Sequence, residues 1–144
     1  MSFRAMDHSV TVIAYEKGGK KYAMTCAWAM MVDYDKILCL LGAQSSTGKN
    51  IRKNDFIGVS TLSKHQKELA LRLGENHSEE VYKLSGIEKS QDDTAITINQ
   101  AARTMICRVL DVYHLPKIEE DSLVYLEIIE KEENGDNFLH MSDL

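Results

Sequence analysis

The chain has 144 residues, 44% of them apolar and 27% charged, which suits a single domain over residues 1–144 and excludes a disordered chain. Lys plus Arg number 17 against 22 Asp plus Glu, a formal charge of −5, which lacks the broad basic field of a nucleic-acid binder. Apolar runs such as residues 37–41 fall far short of the ~20 residues that cross a bilayer, so no membrane span is expected.

The first residues, Met1-Ser2-Phe3-Arg4-Ala5-Met6, lack the apolar stretch of a signal peptide. Cys26, Cys39 and Cys107 form an odd set without C-x-x-C, each in an apolar stretch. Buried, reduced thiols in a cytoplasmic protein are expected. Residues 10–15 are rich in β-branched side chains, and Gly18-Gly19 leads from them to residues 22–28, which predicts a hairpin. Residues 37–41 are apolar throughout, as in a strand covered on both faces, and end at Gly42. Ser46 or Thr47 is placed to cap a short helix through Lys53, and Asn54-Asp55 returns the chain to a strand over 56–60. Ser63-Lys64-His65-Gln66 has capping-box spacing, and Leu69, Ala70 and Leu73 share a helical face. A helix over 64–73 follows, with Gly74 at its C-terminal cap. Residues 75–94 are polar and predict a loop. Residues 95–99, 104–113 and 123–130 are β-rich, the acidic run 127–133 reads as a solvated strand edge, and Asn134-Gly135 signals a type I′ turn into 138–140. Many short strands with two inserted helices predict a mainly β fold, a mostly antiparallel barrel of six to eight strands with helical insertions.

Gly42-Ala43-Gln44-Ser45-Ser46-Thr47-Gly48-Lys49-Asn50 fails the phosphate-loop pattern of nucleotide hydrolases: five residues separate its glycines where four are needed, and Asn50 follows the lysine. Three adjacent hydroxyls, a lysine and the N–H groups of a helix start nevertheless suit an anion; the alternative is an ordinary capped helix with a solvated lysine. Met24-Thr25-Cys26-Ala27-Trp28-Ala29-Met30-Met31 sets small residues among soft ones around the only tryptophan. Such a strip suits a planar aromatic ligand, or else core packing. The five histidines show no metal-binding spacing, so no metal is expected, and no G-x-S-x-G is present.

Taken in order, Met24-Thr25-Cys26-Ala27-Trp28, then Ser45-Ser46-Thr47 after a strand, then Phe56-Ile57-Gly58-Val59-Ser60-Thr61-Leu62 followed by a helix, Gly74 and Tyr82-Lys83, resemble the flavin reductase-like family, the FMN-binding split β-barrel proteins. These pieces are similar to the family's M-T-x-A-W, S-x-T and F-x-V-N-x-L elements, over roughly residues 8 to 130. The sequence departs from the family at Asp33-Tyr34-Asp35-Lys36, where S-x-P-P is usual, at Ser60 in place of asparagine, and at Glu120-Asp121-Ser122, where a late G-D-H would supply a histidine.

The resemblance implies a split barrel in which Thr25, Cys26, Ala27 and Trp28 meet the flavin ring. Gln44, Ser45, Ser46, Thr47 and Lys49 would hold its phosphate, with Ser60, Thr61 and Lys83 completing the cofactor site. It implies FMN, with FAD as an alternative, and a homodimer. The expected activity is a flavin-dependent oxidoreductase passing electrons from NADH or NADPH through flavin to free flavin or another acceptor. The cofactor carries the hydride, so no dedicated acid or base is required and no catalytic residue is assigned. A flavin-binding electron carrier or sensor without turnover, or an interaction domain that has lost the pocket, are the alternatives.

Overall fold

The first hairpin sets the level of everything around it. Strands β1 (Thr11–Lys17) and β2 (Lys20–Cys26) pair antiparallel from Thr11 opposite Cys26 to Lys17 opposite Lys20. Gly18 and Gly19 close the turn at φ 61° and 80°, the left-handed values that a Gly-Gly turn supplies without strain. This is a computed structural model, and it describes residues 5–42, 46–75, 84–118 and 121–144.

Seven further strands complete one sheet: β3 (Ala29–Asp33), β4 (Lys36–Gly42), β5 (Phe56–Thr61), β6 (Lys89–Asp92), β7 (Ala95–Ile98), β8 (Arg103–Tyr113) and β9 (Asp121–Glu133). Their order is β3-β4-β9-β8-β5-β1-β7-β6, with β2 on the other edge of β1, and every pairing is antiparallel. The mostly antiparallel barrel is as expected. Among the described residues its nine strands exceed the expected six to eight because β3 and β6 were not foreseen, while 138–140 makes only isolated bridges, Phe138 to Ser63 and His140 to Ser9.

The sheet is packed on both sides. Ile13, Tyr15, Ile37, Cys39, Leu41, Ile57, Val59, Val109 and Leu126 fill the barrel interior. Val10, Val12, Ala14, Leu62, Ala70, Leu73, Ile96 and Leu139 form a second cluster outside it, under helix α2 (Lys67–Glu75) and β7. Alternate residues of β1 feed the two clusters.

Two helical expectations are corrected. Helix α1 spans Ser46–Lys49 and does not continue to Lys53, because Asn54 at φ 75° and the Arg52 N–H bond to Asp55 Oδ2 bend residues 50–55 into a turn. The second helix opens with a 3₁₀ turn, Lys64–Gln66, in which Ser63 N–H donates to Gln66 Oε1 as the spacing foretold. It then runs past Gly74, so that glycine is a helical residue whose Cβ position lies 3.7 Å from Thr25 and not a left-handed cap. Asn134-Gly135 is not a type I′ hairpin. Of the two only Gly135 has positive φ, and Asn134 N–H donates to Ala102 O, sending the chain across the barrel end.

Candidate functional site

The residues expected at the site fall into three groups. The first is the end of β2. Thr25 points outward, and its Oγ1 donates to Ala70 O of α2 at 2.7 Å. Cys26 points into the barrel, its Sγ 3.7 Å from Leu40 O, and burial pushes its thiol up to about 11. Ala27 is half-buried and Trp28 is 57% exposed. Trp28 with Met30 and Met31, each about 60% exposed, is not core filler.

The second group follows β4. Leu40 N–H donates to Trp28 O, and beyond that bond no ladder joins β2 to β4, which goes on to Gly42. The barrel is split here, and α1 packs against β2, β4 and β9 close to the divergence. Thr47 is 2% exposed and its carbonyl accepts the Tyr15 hydroxyl at 2.6 Å. Lys49 is exposed, and its carbonyl accepts from Arg52 at 2.5 Å. Ser46 begins the helix. Gln44, Ser45 and Lys83 lie outside the described residues.

The third group is on β5. Ser60 is fully buried, and its Oγ accepts the Ile98 N–H at 2.9 Å. Because Val12 pairs with Thr25 on one side and Ser60 on the other, these three residues form one row across the outer face. Both hydroxyls of that row dock covering elements, α2 through Thr25 and β7 through Ser60. Thr61, opposite Thr11, lies on the inner face instead and lines a cavity of about 410 Å³ at the barrel mouth. Met30, Met31 and Tyr34 overhang this cavity, Val59 and Ile128 line it, and Arg103 stands at its side.

Sequence reasoning missed a basic flank. A cavity of about 370 Å³ opens beside α1, lined by Lys49, Arg52, Lys53 and His114 together with Asp111 and Ser122. The basic run Lys49-Asn50-Ile51-Arg52-Lys53 was the available signal; His114, 65 residues on from Lys49, gave none. A larger cavity, about 700 Å³ and lined by polar residues such as His65, Asn99 and Asn134, touches none of the expected site residues. Volume alone therefore does not locate the site.

No curated protein sequence matches the chain. Among solved structures, the NADH:FAD oxidoreductase of Streptomyces globisporus superposes with a TM-score of 0.79 at 16% identity, covering 90% of this chain and 77% of that one. Its complex with NAD and FAD fragments gives 0.72 at 15% identity, covering 90% and 76%. Flavoredoxin from Methanosarcina acetivorans gives 0.77 at 17% identity, covering 93% and 75%. At such identities the likeness speaks for the fold. The family described as flavin reductase like domain matches residues 3–142, nearly the whole sequence. With the split barrel and the order of its elements, that match makes this chain a member of the flavin reductase like domain family.

Proposed function

We propose that this flavin-dependent oxidoreductase binds FMN in the divergence between β2 and β4 and takes electrons from NADH or NADPH. The observation that carries the reading is that α1 packs against both β2 and β4, the two strands that part beyond the Leu40–Trp28 bond. It sets the end of β2 beside the segment that carries Thr47 and Lys49. The donor set fits the group. Of the described residues, Thr47 and Lys49 offer a hydroxyl and a cation to a phosphate, and Arg52 and Lys53 stand on the same flank. The half-buried Ala27 lets a planar ring come close to the main chain. Bound flavin supplies hydride transfer, and the chain's task is to bind and orient. The NAD and FAD fragments held by the Streptomyces oxidoreductase support flavin and a nicotinamide nucleotide as ligands. FMN as the resident flavin rests on the S-x-T resemblance.

A homodimer belongs to the same reading. Met30, Met31 and Tyr34 form an exposed apolar patch on the β3–β4 hairpin, with the exposed Trp28 just before it in the chain, the kind of surface that marks an interface. Cytoplasmic residence agrees with three free, buried thiols. Among the described residues no helix is long and apolar enough to cross a membrane.

Titrating FMN and riboflavin into wild type and Thr47→Ala tests the reading. Bonds to a charged acceptor contribute about 1.5 to 3 kcal/mol, so the variant should lose roughly tenfold to a hundredfold in FMN affinity, with riboflavin nearly indifferent. Equal losses for both flavins would remove the clamp. NADH oxidation by the FMN-loaded protein then separates a reductase from a carrier or sensor.

A further inference from the structure

Helix α1 has four residues, too few to hold its own place, so its position is set from outside. Among the described residues, three side chains donate to main-chain carbonyls of this segment. Lys17 Nζ donates to Asn50 O at 2.8 Å while pairing with Asp55 Oδ2 at 2.8 Å, and Arg52 donates to Lys49 O at 2.5 Å. Both of these side chains are at least partly exposed. The third donor is different in kind. The Tyr15 hydroxyl reaches Thr47 O at 2.6 Å from inside the barrel, across 32 residues of sequence. Tyr15 is 1% exposed, and its ring is stacked on Tyr22 with centroids 5.2 Å apart and planes at 24°. A hydroxyl so confined has one place to be. Thr47 shifts only if the bond breaks or β1 moves with it.

We infer that Tyr15 is the positioning residue of the Thr47–Lys49 phosphate clamp, acting from the barrel interior without touching ligand. The inference rests on the clamp reading of the preceding subsection and adds what sets its geometry. Small displacements of positioned groups carry large penalties in binding and catalysis. The effect should therefore fall on the ligand that carries the phosphate.

Tyr15→Phe deletes one oxygen and keeps the ring and its stack. Affinities for FMN and for riboflavin are measured by fluorescence titration for wild type, Tyr15→Phe, Thr47→Ala and Ile98→Val, the last a mild change in the outer cluster. Tyr15→Phe is expected to weaken FMN about tenfold, the worth of one buried hydrogen bond, and riboflavin less than about twofold. Ile98→Val should shift the urea midpoint and leave the ratio of the two affinities at its wild-type value. A Tyr15→Phe protein with a lowered urea midpoint and an unchanged ratio shows a merely structural tyrosine and overturns the inference. If Thr47→Ala lowers the ratio and Tyr15→Phe does not, positioning fails while the clamp stands; if Thr47→Ala leaves it unchanged, the clamp and the inference fall together. Should Tyr15→Phe not fold, the buried hydroxyl proton of Tyr15 is followed by NMR in the wild-type protein. A resonance that moves with FMN and stays put with riboflavin supports the inference, and one that responds to neither overturns it.

Discussion

At the scale of single residues, Gly58 is the position where the sequence has least freedom. Ala14 pairs with Gly58 on β5, but one residue further Tyr15 pairs with Ala95 on β7, so the two strands part here. A Cβ on residue 58 would sit 1.7 Å from Ile96 O and 2.3 Å from its carbonyl carbon, both main-chain atoms. Gly58→Ala should therefore cost at least the upper end of the 1–3 kcal/mol typical of overpacking, read as a lowered urea midpoint. A midpoint within error of wild type would contradict the close approach. The three thiols make a second prediction. Burial pushes Cys107 up to about 12 and Cys26 to about 11, and burial together with the neighbouring thiols raises Cys39. Each thiol ionises first in the unfolded chain, so its stabilisation is whole below about pH 9 and is lost as pH climbs toward the folded value. The loss is about 1.4 kcal/mol per pH unit for each thiol. Urea unfolding at pH 8, 9 and 10 should show this decline, and Cys107→Ala should make it shallower. An identical slope in the variant would count against a buried thiol at 107.

At the scale of elements, α2 is tied to the barrel by the Thr25 hydroxyl as well as by its apolar face. Thr25→Val keeps the shape, removes the bond and leaves Ala70 O without it. About 1 kcal/mol of stability should go, while Thr25→Ser retains most of it. Equal midpoints for the two variants would show that apolar contact alone holds the helix. Such contacts explain what the sequence could and could not disclose. The Gly-Gly hairpin, the Ser63–Gln66 box and the alternating strands rest on neighbours in sequence and were legible. Strand β3 was hidden because Trp28, Met30 and Met31 look like core residues yet lie exposed on a hairpin. Strand β6 was hidden because Lys89-Ser90-Gln91-Asp92 is polar and is drawn into the sheet only by pairing with β7. Likewise, the order of motifs pointed to Thr47, but no local pattern reveals that its carbonyl meets Tyr15 or that the Ser60 hydroxyl meets the Ile98 N–H.

At the scale of the whole molecule, the β3–β4 hairpin presents Met30, Met31 and the 90% exposed Tyr34 on one side of the barrel mouth. If a second copy covers this patch, sedimentation should give a dimer for wild type and a monomer for Met31→Glu, since an unpaired charge is costly to bury at such a contact. Far-UV circular dichroism should be unchanged by the substitution. A wild-type monomer would end the homodimer reading. Within the subunit, β1 is hydrogen-bonded to β2 along one edge and to β5 along the other, and its alternate side chains are shared between the inner and outer clusters. Neither cluster can come apart without dismantling the strand they have in common. The amide protons of residues 12–14 should thus exchange with solvent only through global unfolding, among the slowest in the protein, and thermal melting should give equal calorimetric and van't Hoff enthalpies.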